Sequence, residues 1–367
     1  MEIWVPYGDV ESLVTLKQEN LGETIDPKPE SHVDEVVIPL AEKMAAAELI
    51  VICDLKPATL KVVKALLAKS TKEGKKFVSP NPRKVEAAVP DLKDAVEKLH
   101  PPGEHEPQGG APAGKVSQSV AGPGKKLAIS TGEPDPLFGY LDAPVSLALS
   151  CVAGARRHAY KKRDGESPRP LQEGTASYET AKQEGGAIQN VEYATIITRG
   201  GEPYSIVEGD SAKQARAHYL SPEIPQAKGL VVGAGGRGYD DTLSHAIRLA
   251  LGAINSVRKG GEIVLIAECR DGIGSEALQM YLTGRMTESF LKKGTYVEGL
   301  EEIPYVTDLR ERYSVTLLSS LPDLYAGGKL RFRTARGSGE ALNKVFSAIG
   351  RTAKLNVVTR ANETVVP

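Results

Sequence analysis

The chain has 367 residues, 41% of them apolar, which is long enough for two domains that each bury a core. Its 46 basic and 47 acidic residues leave a formal net charge of −1, so it has no field with which to gather nucleic acid or an anionic membrane. Cys53, Cys151 and Cys269 are too few and too scattered for a disulfide framework and form no CxxC pair, so a reducing cytoplasm is the expected location. Met1 to Pro6 lacks the basic flank and apolar core of a signal peptide, and no apolar run reaches the roughly 18 residues of a membrane span.

In chain order, alternation marks strands around Ile3–Val5 and Ser12–Leu16. Apolar residues at helical spacing from Glu35 to Ala47 lead into the run Leu49–Cys53, a helix feeding a buried strand. Ala58 to Ala68 reads as a second helix and Lys76 to Ser79 as a short strand stopped by Pro80, a βαβ rhythm that implies a mostly parallel sheet. From His100 to Gly124 the chain is crowded with Pro and Gly and reads as a long loop. Tyr193–Thr198 and Tyr204–Val207 flank Arg199–Pro203 as a hairpin, and a helix follows from Asp210.

The stretch Ser221 to Lys228 marks a boundary between a first domain, 1–225, and a second, 226–367. The second opens with the buried strand Gly229–Val232, then GAGGRGYDD, a helix from about Asp241 to Arg258, a turn at Gly260–Gly261 and the strand Glu262–Ala267. Thr316–Ser319, Arg331–Arg333 and Leu355–Val358 supply further strands, with helices near Ser275–Thr283 and Gly339–Ile349. The expected fold class is α/β, two domains with mostly parallel sheets flanked by helices and a ligand cleft between them.

GAGGRG at Gly233 to Gly238 has the GxGxxG spacing of a dinucleotide-binding turn between strand and helix. Asp240 and Asp241 argue against it, because carboxylates at a helix start repel a pyrophosphate; they read as helix caps. A nicotinamide-dependent oxidoreductase is therefore the weakest of the functional readings.

The run GAGGRGYDDTLSHAIRLALGAINSVRKGGEIVLIAECRDGIG resembles the C-terminal domain of the nickel-pincer-dependent lactate racemases. Its shared features are Gly235–Gly236, Asp240–Asp241, Gly260–Gly261 and the loop Ala267 to Gly274. The resemblance extends to WVPYG at Trp4–Gly8, GTASYETAK at Gly174–Lys182, EGD at Glu208–Asp210 and the closing AKLNVVTRANETVVP. It implies an interdomain cleft holding nickel in a pyridinium-derived thiolate cofactor tethered to a lysine, with histidine ligating the metal and hydride leaving a 2-hydroxy acid.

Several matching positions differ here. The family's D-H-T-R-P becomes Asp54-Leu55-Lys56-Pro57, with Lys56 in place of the substrate-binding arginine. In one alignment Asp135 replaces the nickel-ligand histidine and Val145 the tethering lysine. In another, on Cys151 to Arg157, Arg157 takes the lysine position. His245 and Arg248, one helical turn apart, fall where the family has glutamine and lysine facing substrate.

The expectation is thus a small-carboxylate partner held by Lys56, Arg248, Arg270, Asp271, Gly235 and Gly236, with His245 and Asp54 as catalytic candidates. No metal ligand is assigned, and the cofactor stays open because the nickel-pincer nucleotide lacks its tether. The alternative is a non-catalytic sensor or scaffold of the same fold. Cys53 and Cys269, at two strand ends, read first as small buried hydrophobes and second as thiolates that bind metal or deprotonate a substrate α-carbon; the basic run from Arg156 to Arg163 reads first as a solvated loop and second as a grip for phosphate or carboxylate.

Overall fold

The computed structural model describes residues 1–70, 72–99, 115–208, 212–286 and 295–367. Most of the Pro/Gly-rich loop and Asp210 lie outside the described residues.

Two six-stranded sheets dominate. In the first the order is Glu202–Val207, Val191–Arg199, Lys126–Thr131, Leu49–Ile52, Lys76–Ser79 and Val96–Lys98. All pairings are parallel except the hairpin of Val191–Arg199 with Glu202–Val207. Leu49–Ile52 and Lys126–Thr131 are buried at every position, as central parallel strands covered on both faces must be. One cover is the pair of helices Val33–Ala46 and Pro57–Lys69, which turn Val37, Leu40, Val62 and Leu66 onto Ile50, Ile52, Leu127 and Ile129. Pro57 starts its helix at the first turn, where a missing N–H costs nothing.

The second sheet runs Arg333–Ala335, Ser314–Leu318, Val257–Ile266, Ala227–Gly233, Leu355–Val358 and Leu21–Ile25, all parallel. Residues 2–25, expected with the first unit, pair into or pack onto this second sheet. Leu21–Ile25 lies beside Leu355–Val358, and the hairpin of Glu2–Tyr7 with Val10–Thr15 buries Val5, Val14 and Leu16 against Val231, Val264 and Ile266. On the opposite face the helices Leu243–Ala250 and Glu302–Arg312 pack over Leu230, Val232 and Leu265.

Three expectations need correcting. The helix expected from Asp241 to Arg258 spans only Leu243–Ala250, and its cap is the Thr242 hydroxyl, which accepts from the His245 amide at 3.3 Å. Asp240 instead accepts from the Gly8 and Glu268 amides at 2.7 and 3.2 Å, stapling the N-terminal hairpin to the sheet. The Gly260–Gly261 turn falls inside the strand Val257–Ile266 as a bulge: Ala227 pairs with Val257 and Gly229 with Glu262, Gly260 has a φ of 79°, and a Cβ on Gly261 would stand 2.6 Å from the Lys228 carbonyl. The basic run folds as the helix Ala155–Lys162, with Arg156, His158 and Arg163 ion-paired to Glu301, Glu184 and Glu166.

Candidate functional site

In each sheet the strand order reverses at one place. It does so between Leu49–Ile52 and Lys126–Thr131 in the first, and between Ala227–Gly233 and Leu355–Val358 in the second. Open α/β sheets bind ligands outside the carboxyl ends of strands at such switch points. Here the two switch points face each other. A Cβ on Gly238 would touch Pro57 Cδ at 2.8 Å, and the Lys56 ammonium lies 5.7 Å from the Tyr239 ring centroid.

Between them runs a chain of buried charges. Glu133, on the two-strand element Glu133–Asp135 and Gly139–Leu141, meets the Lys56 ammonium at 3.2 Å and His245 Nε2 at 3.1 Å. Lys56 Nζ also donates to the Thr131 carbonyl at 2.9 Å. Burial alone would raise the Glu133 carboxyl; Lys56, then His245 and Arg248, outweigh it and hold the group well below the usual carboxylate range. Two residues along, Asp135 accepts the Leu137 and Phe138 amides at 2.8 and 2.9 Å and faces Arg248 at 3.6 Å. Arg248 Nε stands 4.0 Å from Glu302, whose carboxylate is bonded by Ser244 at 2.6 Å and by Ser275, and whose acid form is favoured by burial.

His245, Arg248, Arg156 and Glu302 line a cavity of about 420 Å³. Within it Arg248 has unused donors. Among the described residues its ion-pair partners are the two carboxylates at 3.6 and 4.0 Å, and its buried Nε has no hydrogen-bond acceptor there.

The structure thus brings Lys56, His245 and Arg248 together through Glu133 and Asp135. Asp54 joins them only from behind: it accepts the Lys56 amide at 2.9 Å, the Thr131 amide at 2.6 Å and the Ser130 hydroxyl at 2.8 Å, which ties the two strand ends together. Gly235 and Gly236 line a separate cavity with Pro6 and Arg360. Arg270 pairs with Asp9 and Asp241, and Asp271 with Lys84, in a half-exposed ion-pair network away from the His245 cavity. All three cysteines are buried and free; burial pushes the Cys151 thiol up to about 12 and raises Cys53 and Cys269 as well. Among the described residues no cluster of three His, Cys, Asp or Glu has metal-binding geometry.

The alignment positions have definite places. Val145 is fully buried in the helix Ala143–Cys151, against Leu137, Phe138 and Tyr178. Asp135 has its oxygens on backbone amides and Arg248, and Arg157 belongs to the helix Ala155–Lys162.

No family model matches the chain, and no curated protein matches its sequence. Comparison of folds is informative. A lactate racemase apoprotein from Thermoanaerobacterium thermosaccharolyticum superimposes with a TM-score of 0.75 over 100% of both chains, at 14% identity. The chain has the lactate racemase fold. A protein from Thermotoga maritima shares it at a TM-score of 0.62 and 11% identity, covering 94% of this chain and 100% of its own. Within this lactate racemase fold no described helix is long and apolar enough to cross a membrane.

Glu133 was not found by sequence reasoning, because nothing local shows that its carboxylate is inserted between Lys56 and His245, 77 and 112 residues away.

Proposed function

We propose that this lactate racemase-fold chain binds a small carboxylate, a 2-hydroxy acid or a close relative, in the cavity beside His245 and Arg248. The observation that carries the reading is the Arg248 guanidinium, which lines that cavity with donors unused. A planar guanidinium fork matches a carboxylate in two parallel hydrogen bonds. One helical turn earlier, His245 has Nε2 held by Glu133, which leaves Nδ1 as the nitrogen free to take or give a ligand proton. Lys56 then serves by holding Glu133, not by contacting the ligand, and Asp54 by fixing the loop that carries Lys56.

The side chains do not suit the nickel pincer group. Val145 has no amine to acylate and Arg157 none that acylates readily. Asp135 is a hard oxygen donor where nickel in that group calls for imidazole and sulfur. Carboxylate binding at Arg248 does not require the group. We place the working division of the chain near residue 225, with the cavity between the two units and residues 2–25 serving the second. A cytoplasmic protein with no nucleic-acid partner remains our expectation.

A second reading, a non-catalytic sensor or scaffold, is favoured by Glu133 itself, which already neutralises the lysine expected at the substrate. Titration calorimetry with L- and D-lactate and larger 2-hydroxy acids tests the binding. Saturable binding is expected, weakened by about 10- to 100-fold in Arg248→Ala, the scale of a lost charge-assisted contact. Equal affinity in that variant, or no binding of any acid, refutes the proposal. Polarimetry on the acid that binds then separates the two readings: turnover that disappears in His245→Ala marks an isomerase, and binding without turnover marks the sensor.

A further inference from the structure

The Gly-rich run Gly233 to Gly238 takes no part in the His245 cavity, yet it stands at the second sheet's switch point. Gly235 and Gly236, both at positive φ, line a cavity of about 450 Å³ together with Arg360, Arg237, Tyr239 and Pro6. It shares no lining residue with the cavity beside Arg248. Neither the Gly235 nor the Gly236 amide donates to an acceptor among the described residues. Arg360 donates once, to the Gly235 carbonyl at 3.3 Å, and has no carboxylate within ion-pair distance among the described residues, unlike Arg237, which pairs with Asp9.

Tyr239 borders the groove as well. Its side chain is 3% exposed, and among the described residues its hydroxyl has no hydrogen-bond partner. The buried Asn362 side-chain oxygen beside Gly235 is also unpartnered among the described residues. Such orphaned polar atoms are rare in folded chains. The carboxylates that argued against a dinucleotide turn away: Asp240 is bonded to the Gly8 and Glu268 amides and does not line the cavity. Of the acids that do, Asp9 and Glu202 are already paired, with Arg237 and Lys61, which leaves Glu11 as the third carboxylate on its lining.

Pro6, Glu11 and Arg360 also line an adjoining cavity of about 570 Å³, so the two form one groove with Arg360 at its centre. At the far end lies Trp4, 53% exposed, flanked by Pro27 and Pro29. The groove therefore joins free backbone amides and a guanidinium at one end to an indole face at the other. Backbone amides with arginine hold phosphate oxygens, and an indole stacks planar rings.

We propose that this groove is a second ligand site, distinct from the Arg248 cavity, for a mononucleotide-class phosphate ester, with phosphate at Gly235, Gly236 and Arg360 and its ring on Trp4. The inference does not depend on the carboxylate reading.

Trp4 is the chain's single tryptophan, so its fluorescence reports on the groove directly. The full chain is titrated with AMP, adenosine and inorganic phosphate, and affinities are checked by calorimetry. AMP is expected to quench Trp4 saturably and to bind at least tenfold more tightly than adenosine or phosphate. Arg360→Ala should weaken AMP by about 10- to 100-fold, Arg360→Lys by less, and Arg248→Ala not at all. Thermal melts of the variants confirm that they fold. A flat titration, equal affinity for phosphate and AMP, unchanged binding in both Arg360 variants, or loss in Arg248→Ala each overturns the proposal.

Discussion

Replacing Glu133 by glutamine keeps the shape of the side chain and removes the charge on which Lys56 and His245 converge. Both carboxylate oxygens lie within 3.2 Å of His245 Nε2, one of them also within 3.2 Å of the Lys56 ammonium, and the residue is 3% exposed. Removing one partner of a buried ion pair leaves the other charge unpaired at a cost of about 3–5 kcal/mol. Urea unfolding at pH 7 should show a loss of that size. The pH dependence gives a sharper check. Because the folded-state carboxyl lies below its ordinary value of 4.5, its contribution is fully present above that pH and fades as pH falls through the folded value. The gap between the parent and Glu133→Gln should therefore be constant from pH 7 to about 5 and shrink steadily below 4.5. A gap under 1 kcal/mol at pH 7, or one that does not narrow in acid, refutes the buried-relay account.

Two further outcomes follow from the same geometry. Since burial raises all three thiols, native protein should resist iodoacetamide at pH 8 and take up three equivalents only in denaturant; rapid native labelling of any cysteine contradicts the packing. Asp142 caps the helix Ala143–Cys151 through the Val145 amide at 3.0 Å and accepts the Tyr178 hydroxyl at 2.6 Å. Asp142→Ala should cost about 2–4 kcal/mol in urea unfolding, and Tyr178→Phe about 1 kcal/mol; comparable losses in the two variants would show that the cap contributes little.

The regular elements were legible where burial imposes a period. Leu49–Cys53 and Gly229–Val232 read as buried strands, and the structure has strands at Leu49–Ile52 and Ala227–Gly233, because parallel strands covered on both faces are almost wholly apolar. Leu21–Ile25 went unread for the opposite reason: as an edge strand, with Glu23 and Thr24 exposed, it has no apolar face to mark it, and its partner lies more than 300 residues away. Arg331–Arg333 was displaced to Arg333–Ala335 because Arg331 adopts a positive φ of 58°, which a strand cannot continue through.

At the site, the resemblance to the lactate racemases singled out His245 and Arg248, and their spacing of one helical turn put them on a common face. It missed Glu133, Glu302 and Glu301, whose roles depend on which strand ends and helices the topology sets opposite one another. The Asp240–Asp241 pair misled for a related reason. A carboxylate before a helix looks the same in sequence whether it caps that helix or, as Asp240 does, reaches a backbone amide of the N-terminal hairpin.

The pairing of Leu21–Ile25 with Leu355–Val358 has a consequence for synthesis. The first sheet is complete once Val207 has left the ribosome, whereas the hairpin that precedes it must wait for the strands after residue 226 before Val5, Val14 and Leu16 find their cover. At 5–20 residues per second that wait lasts roughly 10–70 s. Once Val207 is out, the hairpin hangs from a finished neighbour for the rest of that wait, an exposed apolar segment of the kind chaperones shield and one that a second nascent copy on the same message is placed to borrow.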